Sequence, residues 1–67
     1  MGLFRFHLIG SSQAPVLEVA ANSVGELNEI VSRQRLMEAR MTEPDGDGVL
    51  AGVLIATSRI QCVVEAG

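Results

Sequence analysis

With 67 residues and one cysteine, Cys62, the chain is too short for two domains and can form neither an intrachain disulfide nor a multi-cysteine zinc site. Its net charge is −3, from eight acidic residues against five arginines and no lysine, which argues against a nucleic-acid binder with a basic stripe. Hydrophobic residues make up 48% of the chain. A chain this short buries only about 60% of the surface it exposes when unfolded, so we expect it to gain stability by association.

The start of the chain lacks the features of a targeting segment. Met1–Arg5 has neither the apolar region nor the small-residue cleavage site of a signal peptide. Gly2 begins a myristoylation-like pattern, but position 6 is Phe6 where that motif needs Ser or Thr. No apolar run approaches the roughly 20 residues that span a bilayer. We therefore expect a cytoplasmic protein that does not bind membranes.

Two short strands are predicted at the start. Phe4, Phe6 and Leu8 alternate with Arg5, His7 and Ile9, so residues 3–9 are predicted as a strand. A cluster of turn-forming residues follows at 10–15, and residues 16–20 read as a second strand. The short loop between them indicates an antiparallel hairpin.

A helix is predicted from Val24. Ser23 and Glu26 have the spacing of a capping box, in which the Ser hydroxyl accepts the Glu26 N–H and the Glu carboxylate accepts the N–H of Ser23. The apolar residues that follow recur at helical spacing. The pattern leaves open whether residues 34–41 continue the helix, as their intrinsic propensities favour, or form a third strand. We prefer a helix that ends near Arg33.

The last third of the chain, Val49 to Ala66, is rich in Val, Leu and Ile and is predicted as strand. It is too long for one average strand, and Thr57–Arg59 is its polar interruption, suited to a bend or a 3₁₀ turn. We therefore predict strands at Val53–Ala56 and Ile60–Glu65. Both faces of Val53–Ala56 are apolar, which is typical of a strand buried on both faces.

The predicted fold is therefore α+β: a small antiparallel sheet in β-β-α-β-β-β order, with one helix on one face. The predicted core combines the inward faces of the strands with the apolar face of the helix and consists of Phe4, Phe6, Leu8, Leu17, Val19, Leu27, Ile30, Val31, Leu54, Ile60, Cys62 and Val64. It leaves Val53, Ile55 and Val63 to face outward, and we predict that these three contact a partner.

The acidic loop Glu43–Gly48 resembles the start of a calcium loop, because oxygen ligands alternate before a glycine. Glu43 replaces the usual first Asp, Pro44 intrudes, and Leu54 stands where the twelfth position requires Glu. A solvated turn is the better interpretation, and the sequence leaves open whether the loop ever meets a metal. We predict no metal site.

No catalytic constellation is evident. His7 is the only histidine, and nothing in the sequence brings it near Cys62. Cys62 lies among aliphatic residues, where cysteine usually behaves as a small buried hydrophobe. Neither a serine-nucleophile elbow nor a phosphate-binding glycine loop occurs. We predict that the chain is not an enzyme and holds no cofactor.

The arginines suggest a second possibility. If residues 36–41 form a strand, Arg40 could lie near Arg59 on a neighbouring strand, and in an oligomer such pairs would form a rim for RNA or a small ligand. The segment 52–60, Gly-Val-Leu-Ile-Ala-Thr-Ser-Arg-Ile, resembles the last two strands of Sm-like proteins, which form RNA-binding rings. Sm-like domains begin with a helix, whereas this chain is predicted to begin with a hairpin.

The functional prediction is a small interaction module that forms homo-oligomers or binds a protein partner. An oligomer that binds RNA or a small ligand through Arg40 and Arg59 is the alternative.

Overall fold

The computed structural model describes all 67 residues, and it confirms the predicted α+β class and element order. Five strands and one helix follow in the order β1 (Gly2–Leu8), β2 (Val16–Val19), α1 (Val24–Arg33), β3 (Leu36–Met41), β4 (Gly52–Ala56) and β5 (Ile60–Glu65). A 3₁₀ turn at Thr57–Arg59 joins β4 to β5. All strand pairs are antiparallel, and the sheet order is β4-β3-β2-β1-β5. No helix is both long and apolar enough to cross a membrane.

The helix has the predicted start and the shorter of the two predicted lengths. Ser23 is its N-cap, and the Ser23 hydroxyl accepts the backbone N–H of Glu26 at 3.2 Å. The Glu26 carboxylate accepts the N–H of Asn22 at 2.6 Å, one residue earlier than the capping box predicts. After Arg33 the backbone becomes extended at Gln34, so the helix ends there and the third strand follows. The helix-forming propensity of residues 36–41 is overridden because this segment pairs with strands on both sides.

The sheet is strongly curled. Leu17 of β2 is paired with both Phe4 of β1 and Met41 of β3. Phe4 and Met41 therefore lie at the same position along the strand direction. In a flat sheet, Ile9 and Arg35 would then lie about 36 Å apart along the strands. In the structure the 3₁₀ turn bonds to both of them.

The turn makes these bonds at its two ends. The N–H of Thr57 donates to the carbonyl of Arg35 at 2.9 Å, and the N–H of Ile9 donates to the carbonyl of Arg59 at 2.7 Å. The Thr57 hydroxyl also donates to the carbonyl of Gln34 at 2.7 Å. Opposite corners of the sheet are therefore drawn together, and the sheet closes over its own inner face.

The core fills the inner face of this curl. Its buried members are Phe4, Phe6, Leu17, Val19, Ala21, Leu27, Met37, Ala39 and Ile55. Leu8, Ile30, Val31, Met41, Val53, Ile60 and Val63 pack around them. Leu27 is the one helix residue that is fully buried, so α1 covers the sheet from one side.

The predicted direction of the side chains on β4 is wrong. Ile55 is paired with Met37 and lies in the core, only 6% exposed, whereas Leu54 is paired with Glu38 and is 63% exposed. Paired residues in antiparallel strands lie on the same face of a sheet. Because Met37 faces inward, Ile55 must do so as well.

The direction is also reversed in β5, and here the cause is a β-bulge. Leu8 is paired with Ile60, but the preceding residue His7 is paired with Cys62, so Gln61 is an extra residue in the strand. A single extra residue reverses the alternation that follows it. Ile60 and Val63 therefore both pack on the core, while Cys62 is exposed. Val64, predicted to be in the core, is 52% exposed.

Gly2 should be the least replaceable glycine. A Cβ at Gly2 would lie 2.6 Å from the carbonyl oxygen of Ala21 and 2.9 Å from the Phe4 ring. We expect Gly2→Ala to lower the free energy of unfolding by about 1–3 kcal/mol, the usual cost of overpacking. Gly46→Ala is the matched control, because a Cβ there meets no atom within 4 Å. Urea unfolding followed by far-ultraviolet circular dichroism checks this, and equal midpoints for the two variants would contradict it.

Candidate functional site

The backbone hydrogen bonds at the two ends of the β3–β4 pairing show which residues of β4 point their N–H and C=O groups away from β3. At one end, the N–H of Met41 donates to the carbonyl of Ala51 at 2.8 Å. These residues flank the pair formed by Arg40 and Gly52. Hydrogen-bonded and non-hydrogen-bonded pairs alternate along an antiparallel ladder, so the pair next to a hydrogen-bonded one makes no backbone bonds to each other. The N–H and C=O groups of its two residues point away from each other. The N–H and C=O of Gly52 therefore point away from β3.

The other end of the β3–β4 pairing shows the same alternation of hydrogen-bonded and non-hydrogen-bonded pairs. The N–H of Thr57 donates to the carbonyl of Arg35 at 2.9 Å, and these two residues flank the pair of Leu36 and Ala56. The backbone groups of Ala56 therefore also point away from β3.

Alternation completes the pattern between these ends. Leu54 has its N–H and C=O on the open side, together with Gly52 and Ala56, whereas Val53 and Ile55 direct theirs toward β3. No strand of the chain pairs with this side of β4. Gly52 and Leu54 thus each present an unpaired backbone donor and acceptor, and Ala56 adds an unpaired donor, because the Ala56 carbonyl accepts the first bond of the 3₁₀ turn. Such a row of outward backbone groups is the arrangement that accepts an added strand.

This edge lacks three of the features that usually block strand addition, namely charge, proline and a β-bulge. Gly52–Ala56 contains no charged residue and no proline, and its pairing with β3 has no bulge. Leu54 projects from it on the outer face with 63% exposure, and Leu36, which lies diagonally from Leu54 on β3, is 54% exposed. The edge is therefore both unpaired in its backbone and apolar in its side chains.

The opposite edge, β5, is less open. The N–H of Ala66 donates to the carbonyl of Leu3. Since bonded and non-bonded pairs alternate from there, the backbone groups of Val63 and Glu65 point away from β1. The bulge at Gln61 interrupts this edge. Helix α1 lies beside it, and residues of α1 and β5 together line a small apolar cavity of about 190 Å³. A bulge, a charge and a neighbouring helix all disfavour strand addition.

The three residues predicted to contact a partner do not form an outward surface. Ile55 is buried in the core, and Val53 and Val63 are half-buried and pack against it. The exposed apolar side chains of these two strands are instead Leu54 and Val64. The outward direction predicted for these three side chains is wrong, for the reasons of register and bulge given above.

Arg40 and Arg59 do not lie near each other within the chain. Arg59 lies in the 3₁₀ turn, which bonds to Arg35, and about 16 Å of β3 backbone separate Arg35 from Arg40. Arg40 is paired with Glu18 and lies on the same face as Glu38, beside a shallow groove of about 460 Å³. Two carboxylate-bearing residues thus share the outer face with Arg40. The expected proximity of the two arginines is wrong, because Arg59 follows β4 at the end of the ladder farthest from Arg40.

The segment that resembles Sm-like proteins forms β4, the 3₁₀ turn and the first residue of β5. As predicted, a hairpin precedes the helix, so the resemblance does not extend to the start of the chain.

Cys62 and His7 are brought together, which the sequence did not indicate. They are directly opposite each other on β5 and β1, on the outer face. Cys62 is exposed and His7 is half-buried, and no side-chain hydrogen bond joins them. The missing signal was the strand pairing itself, because β1 and β5 are at opposite ends of the chain.

The acidic loop is organised by one of its own carboxylates. Oδ1 of Asp45 accepts the N–H of Asp47 at 2.8 Å and that of Val49 at 3.0 Å. The N–H of Gly48 donates to the carbonyl of Asp45, and Gly48 has a φ of +79°, which favours glycine. No group of three metal-ligating side chains occurs in the structure. Asp45 therefore acts as a turn former whose carboxylate is engaged by the backbone.

These bonds make the loop sensitive to pH. The N–H groups of Val49 and then Asp47 hold the pKa of the Asp45 carboxyl below its ordinary value of 3.8. A lowered pKa in the folded state means that the loop contacts are fully stabilising above that value and are lost as the pH falls through the folded pKa.

Substitution at Asp45 tests this role. We expect Asp45→Ala to accelerate hydrogen exchange at the amides of Asp47 and Val49 several-fold at neutral pH. Asp45→Asn should preserve most of their protection, because its amide oxygen still accepts. Nuclear magnetic resonance measures both amides. Unchanged exchange in Asp45→Ala would show that the carboxylate does not organise the loop.

Comparison with known proteins identifies no relative of this chain. No protein-family model matches it, no curated protein matches it, and no solved structure matches it.

Proposed function

We propose that the chain is a small interaction module that forms homo-oligomers or binds a protein partner by adding a strand to the open edge of β4. The observation that carries this proposal is the row of outward backbone groups at Gly52, Leu54 and Ala56 on a strand free of charge and proline. Main-chain hydrogen bonds supply affinity in such complexes, and alternate side chains supply specificity.

The burial pattern supports association at this edge. Leu54 and Leu36 are both more than half exposed, and they lie diagonally across β3 and β4 on the outer face. Exposed apolar side chains that cluster usually mark interaction sites. The core has nine buried residues, so a sheet extended by another chain would add apolar contacts that the chain alone lacks.

A proline substitution separates pairing at the edge from pairing within the fold. Proline removes a backbone N–H, and in sheets it is tolerated only where that N–H faces away from the ladder. We therefore expect Leu54→Pro to fold but to lose self-association. Ile55→Pro, one residue further on, should fail to fold because it removes an N–H that bonds to β3 and a core side chain.

Light scattering after size exclusion measures the mass of each variant, with refractive-index detection because the chain has no Trp or Tyr. Leu54→Ala keeps the N–H and separates the contribution of the side chain from that of the backbone. In the wild type, the Leu54 amide should become protected from hydrogen exchange as concentration rises. An equally rapid exchange at all concentrations, with no change in mass on Leu54→Pro, would contradict edge pairing.

A second candidate function is binding of RNA or another phosphate-bearing ligand. One observation favours it: the bond from Thr57 to Arg35 brings Arg33, Arg35 and Arg59 to the same end of the molecule, and all three are exposed. Arginine recognises phosphate through paired N–H groups. This group replaces the pair of Arg40 and Arg59 suggested by the sequence.

Charge removal tests that candidate. At low salt, Arg35→Ala combined with Arg59→Ala should weaken binding of a labelled single-stranded RNA at least tenfold, as fluorescence polarisation would show. Arg40→Ala is the control and should have little effect, because Glu18 and Glu38 lie beside it. Equal losses in both variants, or no binding by the wild type, would rule the candidate out.

A further inference from the structure

The open edge of β4 is uncharged and regular, which suits it to pairing with a copy of itself. Its three open residues, Gly52, Leu54 and Ala56, are evenly spaced, with Leu54 at the centre. We propose that the occupant is a second copy of the chain, paired antiparallel with the first around a two-fold axis at Leu54. This inference rests on the proposed function, because it specifies the partner and the register at the same edge.

The hydrogen bonds of this arrangement follow from the phase of the ladder. Open residues of one copy must face open residues of the other, since only their backbone groups point outward. Leu54 would then face Leu54 of the second copy, and Gly52 would face Ala56 in both directions. Leu54 and its copy exchange two bonds, and the N–H of each Ala56 donates to the carbonyl of the facing Gly52, giving about four in all. If one copy were shifted by one residue, outward backbone groups would face residues whose groups point inward. A shift by two residues would leave some outward groups without a partner, so one register of the two strands is favoured.

Absence of charge makes β4 suited to pairing with itself. When identical strands pair around a two-fold axis, residues near the axis meet their own copies, and like charges there repel. Gly52–Ala56 has no charged residue, so nothing opposes the close approach of two copies. The edge of β5 is bulged at Gln61 and carries Glu65, so it is a poorer partner for β4 than a second β4.

The exposed leucines on the outer face fit the same axis. Leu54 of the two copies would be neighbours across it, and Leu36 of each copy lies diagonally beside its own Leu54. The four side chains would form one apolar strip over the junction, covering groups that are 63% and 54% exposed in the single chain. Because a two-fold contact uses the same edge of both copies, assembly stops at a dimer with a continuous ten-stranded sheet.

Cysteine cross-linking tests the axis. In a hydrogen-bonded antiparallel pair the Cα atoms lie about 5.5 Å apart, within the range that a disulfide spans. In a Cys62→Ser background, Leu54→Cys should therefore form a covalent dimer under mild oxidation, at least tenfold faster than Val64→Cys. Val64 is a matched control because it is 52% exposed on the outer face of the opposite edge strand.

A mixing experiment tests the register. Gly52→Cys and Ala56→Cys, each in the Cys62→Ser background, should cross-link when mixed and not alone, because each faces the other across the axis. A Cβ at Gly52 meets no atom nearer than 4.0 Å, so the substitution is sterically allowed. Circular dichroism of each variant confirms that it is folded.

The outcomes distinguish the two levels of the proposal. If Leu54→Pro abolishes association but Leu54→Cys cross-links no faster than Val64→Cys, strand addition at β4 stands and the two-fold arrangement is wrong. If the wild-type Leu54 amide exchanges equally fast at all concentrations and Leu54→Pro has the mass of the wild type, self-association through β4 fails together with the inference.

Discussion

The three-residue 3₁₀ turn between β4 and β5 is the constraint on which the rest of the structure depends. It joins two strands that lie at opposite edges of the sheet, which in a flat five-stranded sheet would be about 19 Å apart. The turn also bonds to the start of β3 through Thr57 and to the end of β1 through Arg59. The sheet can satisfy these bonds only by curling until its diagonal corners meet. Curling gives a chain with one helix an enclosed inner face, because the sheet covers much of its own core.

The same constraint makes the two edges different. Closing the sheet brings α1 alongside β5, where Leu27 and its neighbours complete the core, and the bulge at Gln61 lets both Ile60 and Val63 face inward. β4 receives no such cover. It is attached to the fold through β3 on one side and offers unpaired backbone groups on the other. An edge that is short but uncharged and regular is the kind that natural proteins usually protect when they remain monomeric.

The local features of the fold were predictable, and the pairing of distant segments was not. The capping residues Ser23 and Glu26 located the start of the helix, and the polar interruption at residues 57–59 located the 3₁₀ turn. Side-chain direction in β4 and β5 was predicted wrongly because strands that are apolar on both faces give no alternation to read. The register with Met37 decides the face of Ile55, and the single bulged residue Gln61 decides the face of Val63. Neither depends on local sequence.

The candidate site shows the same division between local and distant information. The prediction that residues 53–56 take part in association rests on their apolar composition, whereas the phase of hydrogen bonding with β3 decides which backbone atoms are available to a partner. Amino-acid composition does not indicate the direction of a backbone N–H. Leu54 and Ile55 have nearly the same chemistry, yet the N–H of Leu54 points away from β3 and that of Ile55 points toward it. The buried Ile55 stabilises the strand from within, while Leu54 leaves its side chain and backbone exposed. A single strand can therefore serve both the core and a partner because these two functions fall on alternate residues.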